Sequence, residues 1–222
     1  MEDGISRINI KIRSEVESEI NGLGPEISSE AIKKMFYRLD ELQEGDILVL
    51  AGSIPASMPE SMYRDIMKRL ADRKLKIAVD ATKSLLLNVL PFHPFVIKPN
   101  NHELGELFNV KIKSKDQAVE YAKKLQEMGA QNVIVSMAGE GAVFVGDDGS
   151  VFQSEAPKGT VVNSVGAGDS MVAGFLAGYL GEGDYKEAFK LGVCTGSASA
   201  FSEQLATREQ VEAIRNTHHF EF

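Results

Sequence analysis

The chain has 222 residues, 43% of them hydrophobic, with 32 acidic against 24 basic side chains and a formal net charge of −8. That is enough apolar material for one buried core, and too little positive charge for a nucleic-acid surface, which needs concentrated Lys and Arg to displace counterions. A single cysteine excludes an internal disulfide, and no apolar run is long enough to span a bilayer. Residues 1–4 lack the basic start of a signal peptide, so a cytoplasmic protein is expected, with Cys194 as a buried thiol and no membrane or nucleic-acid partner.

From Ile8 to Ile12 apolar residues alternate with Asn9 and Lys11, the period of a half-exposed strand. After the turn Gly22-Leu23-Gly24-Pro25, residues 28–42 have helical spacing, and Gly45-Asp46 introduces the apolar strand run 47–50, which ends at Gly52-Ser53-Ile54-Pro55. The alternation then continues with a helix over 59–74, a strand at 77–80, a short helix over 85–90 and a strand at 95–98. A helix over 115–128 precedes the strand 133–135. A hairpin is expected from 142–145 and 151–153 around Asp147-Asp148-Gly149. Two helices follow residue 169, and Thr207 with Gln210 forms a capping-box pattern opening a last helix, 208–215. Continuous apolar strands separated by helices imply a mostly parallel sheet covered on both faces, with ligands at the carboxyl ends of the strands. His218-His219 has no ligand spacing around it and is expected to be a solvated tail.

The most informative run is Asn163-Ser164-Val165-Gly166-Ala167-Gly168-Asp169, followed at once by an apolar helix. Small residues at a helix start let backbone amides approach an anion, and the helix dipole adds partial positive charge there. Asp169, in the first turn, is placed to take a proton from an attacking hydroxyl; the bland alternative is a Gly-rich turn that merely starts a helix. Asn100 and Glu103 suit water-coordinated Mg²⁺ beside nucleotide phosphates, though taken alone the pair reads rather as a helix N-cap with a first-turn Glu. Ser136-Met137-Ala138-Gly139-Glu140-Gly141 follows a buried strand, and its small residues would let a nucleotide approach the backbone. Arg7, on the half-exposed strand, and Ser53, after a buried one, could grip a phosphate; a surface Arg is otherwise only solvated. The small residues of 192–202 either allow close helix packing or form a wall of an adenine pocket.

Together these segments resemble the ribokinase-like (pfkB) carbohydrate kinases. Asn163 to Asp169, with Ser170-Met171-Val172-Ala173-Gly174-Phe175 behind it, resembles the second signature of that family, and Asn100-Asn101-His102-Glu103 its Asn-x-x-Glu element. Ser136 to Gly139 is similar to its nucleotide turn, with Ala138 where a Gly is usual. Ser6 to Lys11 and Ala51 to Pro55 look like the branch that phosphorylates sugar phosphates.

The resemblance implies a three-layer α/β/α fold with a mostly parallel sheet, divided into a partial β lid over 1–24 and a kinase core over 25–222. It implies MgATP as phosphoryl donor, Asp169 as catalytic base, and Gly166, Ala167 and Gly168 as the anion hole. Asn100, Ser136, Gly139, Gly141 and Gly168 would bind the nucleotide, Glu103 the metal, and Arg7, Gly52 and Ser53 the acceptor. Fructose 1-phosphate is the expected acceptor and tagatose 6-phosphate the alternative; a homodimer through the lid is also implied. The family's first strands, its sugar-binding Asp and its Gly-Gly signature have no counterpart before Ser6. An N-terminally truncated chain, and even a silent nucleotide-binding fragment, is therefore a further expectation.

Overall fold

The computed structural model describes residues 5–12, 18–22 and 24–221; residues 1–4, and Leu23 of the expected boundary turn, lie outside them. Strands β1 (Asn9–Ile12) and β2 (Ser18–Asn21) form an antiparallel ribbon with Ile10 opposite Ile20. β2 escaped the pattern reading because its sequence, SEIN, is polar and too short to alternate visibly.

The core is a six-stranded sheet in the order β3 (Ile47–Ala51), β4 (Lys76–Asp80), β5 (Val96–Ile97), β6 (Asn132–Ser136), β7 (Ala142–Val145) and β8 (Val151–Ser154). The first four are parallel, and β7 and β8 add antiparallel as the expected hairpin. β5 is two residues long rather than four, although Phe95 before it still bonds both neighbouring strands through its amide and carbonyl; beyond Lys98, Pro99 has no amide to donate.

Alternate strand residues feed two cores. Ile77, Val79, Ile97, Val133, Val135, Val143 and Val145 face one layer, made with helices α2 (Met62–Leu70), α3 (Lys83–Val89), α4 (Asn101–Phe108) and α5 (Lys115–Glu127). Helix α1 (Ser29–Leu39) packs at its margin through Ile32, Met35 and Phe36. Ala78, Val96, Ile134, Ala142 and Phe144 face the other, against α6 (Ala167–Glu182) and α7 (Tyr185–Ala200). There the rings of Phe144, Phe175, Tyr185 and Phe189 stack or tilt on one another at 5.3–6.4 Å. The last helix, α8 (Arg208–Thr217), opens with the expected Thr207/Gln210 capping box.

The helix expected over 59–74 is shorter: α2 ends at Leu70 and a 3₁₀ turn carries the chain to Arg73, with Lys74 left-handed. Among the described residues no helix is long and apolar enough to cross a membrane.

Candidate active site

The carboxyl ends of β3 to β6 bring together the polar segments singled out in the sequence. β3 delivers Gly52-Ser53, β4 ends on Asp80, β5 leads into Lys98-Pro99-Asn100, and β6 ends on Ser136. An isolated parallel bridge joins Asn100 to Ser136, whose amide donates to Pro99 O at 3.2 Å. A cavity of about 980 Å³ opens over this end, with Asn100, Ser136, Gly139, Gly141, Ala167 and Gly168 among its lining.

The far wall of the cavity is made by Gly196, Ser197, Ala200 and Phe201. The small residues of α7 line the cavity, and they let α7 approach α6 closely: a β-carbon added at Gly192 or Gly196 would lie 3.0 Å from Met171 O or Ala167 O.

The turn from Gly166 to Asp169 is built at the start of α6. Gly166 is its N-cap at φ +79°, a left-handed conformation that glycine adopts without penalty. Ala167's amide turns back onto Ser164 O at 3.2 Å, so the amides of Gly168 and Asp169 head the first turn, where α-helical geometry supplies no acceptor. Gly168 lines the cavity, whereas Asp169 is exposed and acts electrostatically on Asp80.

Two residues of this centre were seen in the sequence only as strand ends. Lys98 is 6% exposed, and its Nζ lies 3.2 Å from Asp80 Oδ2. A β-carbon at Gly168 would fall 3.0 Å from that same Nζ, so a buried ammonium sits directly against the turn. Burial raises Asp80's carboxyl above the ordinary aspartate value; Lys98 opposes this, and the negative charges of Asp169 and Glu103 add to it. The available signal was a lone Lys closing the otherwise apolar run 95–97, since such a cation is buried only with a partner.

Asn100 and Glu103 form a complete capping box. Asn100 Oδ1 accepts from the amides of His102 and Glu103, both at 2.9 Å, and Glu103 Oε2 accepts from Asn100 N at 2.8 Å. The cap therefore orients both side chains. Among the described residues no three His, Cys, Asp or Glu side chains are grouped to hold a metal ion directly. The donor set of Asp80, Glu103 and Asp169, the last two acting on the Asp80 carboxyl without clustering against it, fits a Mg²⁺ that keeps most of its water and is held chiefly by phosphates.

In the turn after β6 Ala138 takes the left-handed region, φ +48°, where a glycine would be unstrained. Gly139 has open space around it and lines the cavity. Gly141 is dictated by packing: at φ +93°, its added β-carbon would lie 1.9 Å from Ser154 O of β8.

Beyond the carboxyl end of β3, Arg7 Nη1 donates to Ser53 Oγ at 2.6 Å, joining two exposed residues 46 positions apart. Gly52, the third expected acceptor contact, spends its amide on Asp80 O at 3.1 Å, extending the β3–β4 ladder. Tyr63, which the sequence reading missed, donates its hydroxyl to Ala51 O at 2.6 Å and so fixes the turn that carries Ser53. Burial, then the charge of Asp80, raises the Tyr63 hydroxyl pKa.

Two peripheral expectations also meet the structure. Cys194 is buried, and burial pushes its thiol up to about 11. His218 is not a solvated tail residue: its ring meets Phe220 edge-on at 4.5 Å, its Nε2 lies 3.4 Å from Ser154 Oγ, and burial lowers its pKa.

With this geometry established, known proteins can be set beside it. The pfkB family carbohydrate kinase profile matches residues 3–211. A Bacillus subtilis 1-phosphofructokinase is 49% identical over 95% of this chain and 69% of its own length. A Bacillus licheniformis D-tagatose-1-phosphate kinase is 35% identical over 91% of this chain and 67% of its own. Among solved structures, Escherichia coli phosphofructokinase-2 in complex with substrates and products superposes with a TM-score of 0.85 at 25% identity, over 94% of this chain and 69% of that one. A Staphylococcus aureus crystal structure reaches 0.86 at 39% identity, over 96% and 69%. The chain thus spans a little over two thirds of the length of these relatives.

Proposed function

Because this chain belongs to the pfkB family of carbohydrate kinases, we propose that it transfers the γ-phosphoryl group of ATP to the 6-hydroxyl of fructose 1-phosphate, giving fructose 1,6-bisphosphate and ADP. Tagatose phosphate is the second acceptor to consider, the kinase of that class among the relatives being named for tagatose 1-phosphate. The observation that carries the sugar-phosphate reading is the Arg7–Ser53 contact. A guanidinium and a hydroxyl held together at the acceptor end form a phosphate grip that a neutral sugar does not need.

In this reading the nucleotide occupies the cavity between Asn100, Ser136, Gly139 and Gly141 on one side and Phe201 on the other. Asp169 orients the acceptor hydroxyl and takes its proton as the oxygen attacks the γ-phosphorus and the bond to the leaving ADP oxygen breaks. The amides of Gly168 and Asp169, with the ammonium of Lys98 behind them, meet the charge on the phosphoryl oxygens, since positioning and electrostatics dominate this chemistry. Gly166 shapes the turn. Ala167, its amide already engaged, contributes through its place in the first turn. Mg²⁺, reached through water by Glu103 and Asp80, would neutralise the nucleotide phosphates. The ribbon of β1 and β2 serves as lid, and its half-exposed Ile10, Ile12 and Ile20 support pairing with a second copy. A buried free thiol and a need for ATP both suit the cytoplasm.

The test is ATP-dependent phosphorylation of fructose 1-phosphate and of the tagatose phosphates, with Asp169→Asn alongside. General-base help is worth about 10²–10⁴-fold, so the variant is expected to lose that much turnover while still binding ATP and melting as the parent does. Unchanged turnover in Asp169→Asn would overturn the assignment. A second reading, nucleotide binding without transfer, is favoured by the exposed outer side of β3, where Val49 is 47% accessible. ATP binding with no turnover on any of these sugars would select it.

A further inference from the structure

We infer that Ser199 is a positioning residue for the phosphoryl-transfer turn, an inference that rests on the kinase reading above. Ser199 lies in the last turns of α7, is 2% exposed, and divides its hydroxyl between two other pieces of chain. It donates to Ser170 Oγ at 2.8 Å and accepts from the amide of Ala206 at 3.1 Å.

Each partner leads back to the same turn. Ser170, 7% exposed, directly follows Asp169, and its own amide donates to Gly166 O at 2.8 Å. Fixing Ser170 therefore fixes both ends of the first turn of α6. Ala206 closes the segment 201–206, which holds the approach to the turn. Glu203 O accepts from Asn163 Nδ2 at 3.0 Å, and Leu205 Cδ2 would lie 2.7 Å from a β-carbon at Gly166. At the start of that segment Ala200 O accepts from the amides of Val162 and Asn163, at 2.8 and 3.0 Å.

Ser199 thus ties α7 and the chain that follows it to a turn some thirty residues earlier, the one carrying Gly166 to Asp169. Removing its oxygen would leave the Ala206 amide without its acceptor and Ser170 Oγ without its donor, in a site with no room for slack. The turn would still form, because its glycines and its helix remain. Its placement against Lys98 would loosen, and Asp169 and the phosphate-facing amides would be displaced together. Ser199 touches neither substrate nor reacting atoms, so the effect is expected on kcat rather than on nucleotide affinity.

The experiment compares the chain with Ser199→Ala, Ser170→Ala and the double variant, by amide hydrogen exchange and by steady-state kinetics. Ser199→Ala is expected to speed exchange at residues 166–170 by roughly tenfold, the size of one or two lost buried hydrogen bonds, while residues 133–135 in β6 stay as they were. On the kinase reading, kcat falls by a similar factor of about ten and KM for ATP moves less than about twofold. Ser170→Ala, which keeps the Ala206 bond, is expected to give the same pattern at smaller size, and the double variant to add nothing beyond Ser199→Ala, since both single changes remove the Ser199–Ser170 link. Equal acceleration in 133–135 and 166–170, or additive single effects, would overturn the inference. A parent chain with no turnover would defeat the kinase reading alone and leave the exchange comparison to decide the role of Ser199. Should Ser199→Ala not fold, the same exchange comparison on Ser170→Ala, which leaves the Ala206 bond in place, decides it.

Discussion

β6 and β3 belong to one sheet and lead into the two halves of one site, but their surroundings differ in kind. β6 is covered on both faces and paired on both sides; Val133, Ile134 and Val135 are all fully buried. β3 has a strand partner on one side only among the described residues, and Val49 is 47% exposed. On the proposed reading the nucleotide end stands on a buried floor and the acceptor end on a sheet margin. Beyond its ladder with β4, that margin is held by Tyr63 on Ala51 O and Gly52 O and by Arg7 on Ser53. If that reading holds, one fold can specify the donor tightly while leaving the acceptor half dependent on what covers its edge.

The sharpest way to test this contrast is amide exchange in the unmutated chain. Opening free energies run from near zero at frayed edges to the global value in the core, so residues 47–51 are expected to exchange about 10³-fold faster than residues 132–136, or more. Equal protection would erase the contrast. A smaller effect is expected from Arg7→Ala, which removes a charge-assisted phosphate contact worth about 1.5–3 kcal/mol. KM for the sugar phosphate should rise roughly 10- to 100-fold, with KM for ATP and the melting temperature unmoved. A matching rise in KM for ATP would show that the halves are not separable. The smallest change is expected at Ala138→Gly. It relieves a left-handed alanine but frees the unfolded chain, for a net stabilisation below about 1 kcal/mol that thermal melting can read. A loss of stability instead would mean that the alanine methyl is packed rather than tolerated.

How much of this was legible in the sequence follows the same division. The apolar runs of β4, β6 and β7 announce themselves because burial on both faces demands continuous apolar residues; β3 carries such a run although only Leu50 in it is buried. The turn from Gly166 to Asp169 and the pair Asn100 and Glu103 are local, carried by residues within a few positions of one another, and were identifiable for that reason. The Arg7–Ser53 contact could be suspected but not joined, since 46 residues separate its members. Lys98 against Gly168, Tyr63 on Ala51 O and Ser199 on Ser170 were not legible, because each depends on two elements meeting in space. β2 was lost for another reason: a four-residue polar strand has no hydrophobic face to give it away. His218 misled because its partners, Ser154 and Phe220, are supplied by the fold rather than by a ligand pattern.

The order of the sheet has a consequence for how the chain reaches this state. From β3 to β8 every strand pairs with its immediate neighbour in sequence, and none is inserted between two already joined. Loop closures in such a sheet stay short, so the entropic barrier to each addition is low, and assembly can zip along the chain as it emerges. The two helices that carry the Gly166–Asp169 turn and the far wall of the cavity, α6 and α7, come after the last strand and cover the face of the sheet that bears Phe144. In chain order the floor of the cavity thus precedes its far wall.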